Sequence, residues 1–487
     1  MILEAPRPHG SDAALLRGWG AEVTWMCAAL GWTDTALTVR THAAGSSLAF
    51  TAPREALMSA TSLNEWALER AAEACDVTYD PASLEEERLP LEQTAALARL
   101  RELLDAERET PPDDAAAIEA RDIPVALVTG SNGKTTTVRL IAAMLRAAGH
   151  RAGFTCTDGV FIDGEAVERG DWSGPAGARR VLEDASVTAA VLESARGGLL
   201  RRGLVAPRAD VAVITNVAAD HFGEYGIDSL ADIATAKGVV AHTLSARGTL
   251  ILGADDPTLR AHPPHTDAKV EWFGSGEHAS GLLPTLEEMP IAMAGQAAYN
   301  IANAEAAARA ARALGLPDAV ITETLRQFGR DNRDNPGRLE RYELDGRRIW
   351  LDYAHNPHGL AALLALAQEA RGSGRLGLLL GQAGDRPDES LRALARTAWA
   401  AAPDCVMLQE MTHYLRGRAP GEVPAILRDE LLRSGAREEQ VLLGGSEVEA
   451  AEALLAWSAP GDLLVMPVHA LEEREVLRRR IGVRADG

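Results

Sequence analysis

The stretch VALVTGSNGKTTTVRL, from Val125 to Leu140, decides the fold of the central part of this chain. A short apolar run of strand length leads into small residues, and a helical pattern begins near Lys134. A strand, a glycine-containing turn and a helix in this order aim backbone N–H groups and a helix N-terminus at an anion. The stretch therefore predicts a phosphate-binding loop.

The predicted loop is shorter than the usual P-loop. In the usual pattern, G-x-x-x-x-G-K-[ST], the first glycine stands well before the Gly-Lys pair, whereas this sequence reads G-x-x-G-K-T from Gly130. Lys134 would still reach the terminal phosphates of a nucleotide, and a hydroxyl of Thr135 or Thr136 would hold Mg²⁺. The alternative is a strand-to-helix turn of small residues that binds nothing.

Composition and charge narrow the class of protein. The 487 residues suit about two to four domains, and a charged fraction of 24% is ordinary for a soluble protein. A net charge of -21 opposes nonspecific binding of nucleic acid. The 4 cysteines form no C-x-x-C pair, and we find neither a membrane-spanning run nor a signal peptide. We expect a cytoplasmic protein that binds neither nucleic acid nor membranes.

Alternating strand and helix patterns follow a charged, proline-containing segment near residue 110, and a second turn-rich segment precedes residue 336. We predict an α/β protein of three domains. Residues 1–108 would form a small α+β N-terminal domain, residues 109–335 a central P-loop parallel-sheet ATPase domain, and residues 336–487 a C-terminal Rossmann-like α/β domain. The sequence does not indicate a role for the N-terminal domain.

Polar residues follow two further strands of the predicted central domain. Glu193 ends the run TAAVLES, and His221 follows ADVAVITNV. Ligands of open α/β sheets gather at this carboxyl edge, so both side chains are candidate metal ligands and Arg196 is a candidate for phosphate or carboxylate. Alone, each of these side chains would be read as an ordinary loop residue. Lys237, further along the chain, would by itself be read as an ordinary solvated lysine.

The predicted C-terminal domain repeats this arrangement at three strand ends. Asp352 and His355 lie in LDYAHNPHG, Asp385 in GQAGDRPDES, and Arg416 and Arg418 in HYLRGRAPGEV. Each cluster is a weak signal by itself. Together they predict one face that points at a shared cleft.

In their order along the chain, the short P-loop, Glu193, the N-x-x-x-D-H run ending at His221, Lys237 and DYAHNP resemble the Mur ligase superfamily. That superfamily contains the peptidoglycan amino-acid ligases and folylpolyglutamate synthase. The stretches TCTDGVFIDGEAVERGDWSGPAGARRVL, LESARGGLLRRGL and LRGRAPGEV are similar to the C-terminal ligase half of the cyanophycin synthetase family. Cyanophycin synthetases carry an ATP-grasp domain before this half, and we recognise no ATP-grasp glycine-rich loop here. We expect either a stand-alone ligase, which could self-associate as a homo-oligomer, or one that works beside a separately encoded ligase partner.

The resemblance implies an ATP-dependent, ADP-forming ligase that joins a carboxylate to an amine through an acyl phosphate. The expected substrates are small molecules, namely an amino acid and an aspartyl-type or other amino-acid or peptide carboxylate. One alternative is a folylpolyglutamate- or peptidoglycan-type ligase. Another is a nucleotide-binding subunit of a larger ligase complex.

The resemblance also implies roles for individual residues. Catalysis would depend on Lys134, Glu193, His221 and Lys237, with Lys237 at a position that is carbamylated in many Mur ligases. Two Mg²⁺ ions would be held by Thr135, Glu193 and His221. ATP would be bound by Gly130, Ser131, Asn132, Gly133, Lys134, Thr135, Thr136, Asn300, Asn303, Arg338 and Asp352. The other substrate groups would be bound by Arg196, His355, Asp385, Arg416 and Arg418.

Overall fold

Three β-sheets and the helices around them organise the part of the chain that the structure describes. The computed structural model describes residues 2–6, 13–32, 37–42, 45–50, 57–75, 89–109, 118, 120–219, 222 and 227–485. In chain order, the strands are β1 (Ile2–Pro6), β2 (Leu37–His42), β3 (Gly45–Phe50), β4 (Val125–Thr129), β5 (Ala152–Cys156), β6 (Gly159–Ile162), β7 (Glu165–Arg169), β8 (Ala189–Glu193), β9 (Ala209–Ile214), β10 (Leu244–Gly253), β11 (Lys269–Phe273), β12 (Glu340–Leu344), β13 (Arg347–Asp352), β14 (Leu376–Leu380), β15 (Cys405–Glu410), β16 (Val441–Ser446) and β17 (Leu463–Pro467). The α-helices are α1 (Ala13–Ala29), α2 (Leu57–Ala74), α3 (Gln93–Glu109), α4 (Lys134–Ala147), α5 (Pro175–Glu183), α6 (Arg196–Arg202), α7 (Leu230–Gly238), α8 (Pro257–Ala261), α9 (Ala298–Ala313), α10 (Asp318–Gln327), α11 (Pro357–Ala370), α12 (Asp388–Ala400), α13 (Glu422–Arg433), α14 (Glu447–Trp457) and α15 (Leu471–Ala485).

The chain forms two compact units. The first contains Met1–Ser131 and Gly149–Trp272, and the second contains Asn132–Ala148 and Phe273–Gly487. The division falls in the loop between β4 and α4, so this strand and this helix belong to different units. The predicted fold class is confirmed, with a small α+β layer, a central parallel sheet and a second parallel α/β sheet. The boundaries predicted at residues 108 and 335 stay predictions.

The N-terminal part of the first unit is a three-stranded antiparallel sheet, in the order β1-β3-β2, with α1 packed against α2. Two buried tryptophans lie in its core. The indole Nε1 of Trp19 donates to the carbonyl and to the side-chain Oδ1 of Asn64, at 3.2 and 3.0 Å, and that of Trp66 donates to the Pro90 carbonyl at 2.9 Å. Both buried N–H groups are therefore satisfied, as large amphipathic rings require.

The eight-stranded sheet of the first unit has the order β11-β10-β9-β4-β8-β5-β6-β7. The strands from β10 to β5 pair in parallel, and the β5-β6-β7 end is antiparallel. All five residues of β4 and of β8 are buried, as expected for central parallel strands. This order places the ends of β4, β8 and β9 side by side at one edge of the sheet.

The second unit contains a six-stranded sheet in the order β12-β13-β17-β14-β15-β16. The β12-β13 pair is antiparallel and the other pairs are parallel. In the same unit, α4 packs against α9 and α10. The helix that follows the phosphate loop is therefore supported by elements that come more than a hundred residues later in the chain.

Two helix caps fix the local geometry around candidate residues. At α7, the side chains and backbone of Ser229 and Asp232 form a capping box, which leaves Lys237 in the last turn. At α11, the side chain of Asn356 accepts from the Gly359 N–H at 2.8 Å, and Pro357 occupies the first helical position. Both helices therefore begin where the sequence offers a side-chain acceptor.

No disulfide joins the four cysteines, all of which lie among the described residues. In the part of the chain that the structure describes, no helix is both long and apolar enough to cross a bilayer.

Trp19→Phe tests the polar anchor of the N-terminal core. The substitution removes the only side-chain donor that reaches Asn64 in the described structure and leaves a small cavity, so we expect local opening to become easier by about 2–3 kcal/mol. Hydrogen–deuterium exchange of the α1 and α2 amides would measure this change. Trp25→Phe is the matched control, because Trp25 is 38% exposed, and faster exchange in both variants alike would contradict the assignment.

Candidate active site

The first half of the phosphate loop is held against the segment that follows β9. Gly130 adopts a φ of 145°, and a Cβ atom there would overlap the Oγ1 atom of Thr215. The N–H of Ser131 donates to the Asn216 carbonyl, and the Ala218 N–H donates to Ser131 Oγ, each at 2.9 Å. A side chain at position 130 is excluded, which explains the first glycine of the motif.

Glu193 lies next to this loop in the sheet. In the parallel ladder it is the partner of Val128, two residues before Gly130. Its side chain is buried, with 1% exposure, and its N–H donates to Thr155 Oγ1 at 3.0 Å. Arg196, also buried, begins α6 three residues later. A buried carboxylate is stable when cations or donors compensate its charge, which suits a metal ligand.

The described residues contain no group of three His, Cys, Asp or Glu side chains that would enclose a metal ion. Mg²⁺ in nucleotide sites usually takes one or two protein ligands and completes its shell with phosphate oxygens and waters. One buried carboxylate at the end of β8 fits that kind of site. His221, the other predicted metal ligand, lies outside the described residues.

Lys237 is buried to 4% exposure in the last turn of α7. Lysine is rarely buried to this degree unless its charge is compensated or changed. The position therefore differs from the solvated lysine that the local sequence alone would indicate.

The second half of the loop lies in the second unit and contacts α9. Gly133 has a φ of 85°, and a Cβ atom there would overlap the Oδ1 atom of Asn303. Asn303 Nδ2 donates to Asn300 Oδ1 at 3.4 Å, and Asn300 Nδ2 donates to the Ile291 carbonyl at 3.2 Å. The two predicted nucleotide-binding asparagines are thus brought together beside the second glycine of the motif.

The first turns of α4 bond to the segment 335–338, which we call the hinge segment. Two donors belong to the hinge segment and one belongs to the helix. The bonds run from Arg338 Nη2 to Thr135 Oγ1 (3.3 Å), from Asn335 Nδ2 to Thr136 Oγ1 (3.2 Å) and from Arg139 Nη1 to the Pro336 carbonyl (2.9 Å). Asn300, Asn335 and Arg338 also line one small cavity.

Asn132, at the tip of the loop, contacts the beginning of α11. Its Oδ1 accepts from Asn356 Nδ2 at 3.0 Å, and its Nδ2 lies 3.1 Å from His358 Nδ1. Neither partner was predicted to bind the nucleotide. Both belong to the run that begins with Asp352, so the loop and this strand end are joined directly.

Asp352 ends β13 and is buried. Its carboxylate accepts from the Leu339 and Ala354 N–H groups, each at 2.7 Å. Burial raises the pKa of Asp352, and the nearby Arg338 guanidinium and the backbone donors oppose that rise. Asp352 therefore orders the backbone at Leu339, next to Arg338, and at Ala354, two residues after the end of β13.

The predicted substrate residues of the second unit differ in how many protein partners they have. Asp385 Oδ2 accepts from Arg416 Nη1 at 3.1 Å, so these two form a partly exposed ion pair. His355 Nδ1 lies 3.1 Å from the Tyr353 carbonyl. Arg418 is instead engaged by four acceptors, which are the Gly384 and Arg386 carbonyls and the carboxylates of Asp388 and Glu422.

His469 was not identified as a candidate from the sequence. This residue follows β17, the strand that lies between β13 and β14 in the sheet. Its Nε2 lies 3.1 Å from the Ala354 carbonyl, and its Nδ1 lies 3.7 Å from Glu447 Oε1. Burial works to raise the pKa of Glu447, but the neighbouring His469 side chain and the N–H groups of His469 and Ala470 lower it overall. The signal was present, because DLLVMPVH is a fourth apolar run that ends in a polar residue.

Comparison with known proteins agrees with this geometry. The Mur ligase middle domain matches residues 128–311, and the Mur ligase, glutamate ligase domain matches residues 337–467. A UDP-N-acetylmuramoyl-L-alanyl-D-glutamate--2,6-diaminopimelate ligase of Alkalilimnicola ehrlichii is 30% identical over 360 residues, which are 66% of this chain and 69% of that relative. The chain belongs to the Mur ligase family. The sequence resemblance is confirmed.

Cyanophycin synthetases are also similar to this Mur ligase. The protein of Crocosphaera subtropica is 37% identical over 338 residues, or 64% of this chain and 38% of that relative. The chain spans between 38% and 44% of the length of the cyanophycin synthetases it matches. Among solved structures, E. coli FolC in complex with DHPP and ADP has a TM-score of 0.57 at 19% identity, covering 76% of this chain and 92% of FolC. That likeness supports the fold.

Gly133→Ala tests the close approach of the loop to α9. The substitution forces an L-residue into a left-handed conformation and displaces Asn303, whereas Gly149→Ala, with a φ of 91° and no described atom within 4 Å of its Cβ, adds the strain alone. We expect Gly149→Ala to cost about 1–2 kcal/mol and Gly133→Ala at least about 1 kcal/mol more. Thermal unfolding of both variants measures the difference, and equal melting temperatures would contradict the packing described here.

Proposed function

We propose that this chain is an ATP-dependent, ADP-forming ligase that joins a carboxylate to an amine through an acyl phosphate. One arrangement carries the proposal, namely the contact of the phosphate loop and the first turn of α4 with Asn303, Asn335 and Arg338. Gly133 and Thr135 lie against Asn303 and Arg338, which the resemblance assigns to the same nucleotide, within one unit. Family membership supports the same reaction class.

The nucleotide would lie along the loop and the start of α4. Backbone N–H groups of residues 130–134 and the helix N-terminus would bind the phosphates, and Lys134, the first residue of α4, would reach the terminal ones. The cavity lined by Asn300, Asn335 and Arg338 would receive the base or ribose. Asp352 would act by ordering the backbone around Arg338.

Thr135 and Glu193 would hold one Mg²⁺ ion, and His221 would help to hold a second. When bound, these ions neutralise the charge on the transferring phosphate oxygens. Glu193 is a buried carboxylate beside the loop, which supports its part of this assignment. The burial of Lys237 supports a carbamylated side chain, since a carbamate turns that cation into an anionic ligand or hydrogen-bond acceptor.

The reaction would proceed in two steps. An oxygen of the substrate carboxylate attacks the γ-phosphorus of ATP, and the bond to the β,γ-bridging oxygen breaks to release ADP. The amine nitrogen then attacks the acyl carbon, loses a proton and expels phosphate, which leaves an amide. Lys134 would stabilise the charge on the transferring oxygens in the first step.

The Asp385–Arg416 pair supports an amino acid as the amine substrate. Asp385 offers a carboxylate to a cationic group, and Arg416 offers a guanidinium to a carboxylate or to the acyl phosphate. His355 would complete this face, and Arg196 would bind a substrate carboxylate in the first unit. Arg418, saturated by four acceptors, would hold the loop. We propose a basic amino acid and an aspartyl-type acceptor, as in cyanophycin-like chemistry.

Phosphate release from Mg-ATP tests the proposal across pairs of acids and amines. The acids would include aspartate, β-aspartyl dipeptides, short aspartate chains, folate and a UDP-linked muramoyl dipeptide, and the amines the twenty amino acids and diaminopimelate. We expect release that requires one acid and one amine together, with the amide as product. Lys134→Ala should lower the rate by about 10²–10³-fold, and Lys269→Ala, which changes an exposed lysine paired with Glu271, should not.

The panel separates the alternatives. Release with folate and glutamate, or with the muramoyl acceptor and diaminopimelate, would replace the cyanophycin-like substrates. ATP binding without release from any pair would contradict the stand-alone ligase and favour a subunit that needs a separately encoded partner. Equal activity of Lys134→Ala and Lys269→Ala would contradict the phosphate-loop assignment.

A further inference from the structure

Glu340 is a buried carboxylate outside the predicted active-site residues. It is 2% exposed and ends the run NPGRLE, two residues after Arg338, the last residue of the hinge segment. Its oxygens accept from the Tyr342 hydroxyl at 2.6 Å, from Arg478 Nε at 3.0 Å and from the Gly337 N–H. Burial beside Glu340 raises the pKa of Tyr342, so its hydroxyl remains a donor. The charge of Glu340 is thus compensated by one cation and two neutral donors.

Gly337 connects this carboxylate to Arg338. Gly337 has a φ of 71°, and a Cβ atom there would overlap the Nη1 atom of Arg474. Its N–H donates to Glu340, and its carbonyl accepts from Arg338 Nη1 at 3.0 Å. Hydrogen bonds therefore hold both the N–H and the carbonyl of Gly337, the residue that precedes Arg338.

Arg338 reaches the phosphate-loop helix from that position. Its guanidinium lies 4.3 Å from the centre of the Tyr353 ring and donates to Thr135 Oγ1. Arg474 lies 5.3 Å from the centre of the same ring. Helix α15 thus contributes two arginines to this region. Arg474 lies near Tyr353 and Gly337, and Arg478 binds Glu340.

We propose that Glu340 and Arg478 form a positioning pair that holds Arg338 in place for the nucleotide. The Gly337 N–H bonds to Glu340 and the Gly337 carbonyl bonds to Arg338, so the pair acts through the Gly337 backbone. The inference rests on the proposed function, because it assigns Arg338 to ATP. It gives the C-terminal helix α15 a role in nucleotide affinity that the phosphate-loop motif does not reveal.

Steady-state kinetics of the full chain, with the acid and amine that the phosphate-release panel identifies, test the pair through Arg478→Gln. Loss of a positioning contact that acts equally on bound ATP and on the transition state raises KM and leaves kcat unchanged. We expect the KM for ATP to rise about tenfold, with kcat and the KM for the amine within about twofold of the wild type. Arg478→Lys should recover part of the affinity, since it keeps a cation but loses the bidentate fork.

Arg480→Gln is the matched control. It removes another arginine of α15 that pairs with a glutamate, but that pair with Glu452 is half exposed and has no described bond to the hinge segment. We expect its KM for ATP to equal that of the wild type. Tyr342→Phe provides a milder second variant, because it removes a single neutral donor to Glu340 and should raise the KM for ATP by about threefold.

An unchanged KM for ATP in a folded Arg478→Gln protein would overturn the proposal. A fall in kcat together with equal rises in the KM for ATP and in the KM for the amine would also overturn it, since that pattern indicates general destabilisation. Should Arg478→Gln fail to fold, Arg478→Lys and Tyr342→Phe decide by the same criterion. A wild-type chain that neither binds nor cleaves ATP would instead contradict the proposed function, so the two failures are distinguishable.

Discussion

Three hydrogen bonds between the first turns of α4 and the hinge segment join the phosphate loop to the six-stranded sheet. They engage Thr135, Thr136 and Arg139, which share one end of the helix. Only Leu339 lies between the hinge segment and β12, so a group bound at the loop would lie close to the backbone that enters the sheet. The contact of Asn132 with Asn356 adds a second connection to the same sheet, at the start of α11. The proposed nucleotide site would therefore be linked to this sheet edge by short, direct contacts.

The same sheet edge collects the groups proposed to bind the second substrate. Four adjacent parallel strands, β13, β17, β14 and β15, are followed by His355, His469, Asp385 and Arg416. Parallel strands place their carboxyl ends together, so residues far apart in the chain meet without any local sequence signal. Arg418 lies beside the Asp385–Arg416 pair and donates hydrogen bonds to four acceptors.

Local patterns in the sequence predicted the elements that carry the site. The helix begins at Lys134, and β8 ends at Glu193, as the apolar runs and polar ends indicated. The end of α7 has a local explanation in the sequence: the helix ends at Gly238, and the chain continues as a short 3-10 helix from Val239. A glycine followed by two β-branched valines lowers helix propensity at that point.

The contacts between distant residues could not be read from the sequence alone. Asn303 lies against Gly133, and Glu340 pairs with Arg478, across separations of more than a hundred residues. No periodicity or capping rule reports such pairs, since they arise from how helices and sheets pack. The resemblance assigned Asn303 and Arg338 to the nucleotide, but the residues that hold Arg338 appear only in the three-dimensional arrangement.

The transfer of oxygen from the acid substrate to phosphate tests the central claim most directly. The substrate carboxylate would be labelled with ¹⁸O, and the released phosphate examined by the isotope shift of its ³¹P resonance. An acyl-phosphate ligase leaves one oxygen of the original carboxylate on the phosphate, so we predict that each released phosphate carries a single ¹⁸O atom. Unlabelled phosphate, formed while the amide product accumulates, would contradict the account.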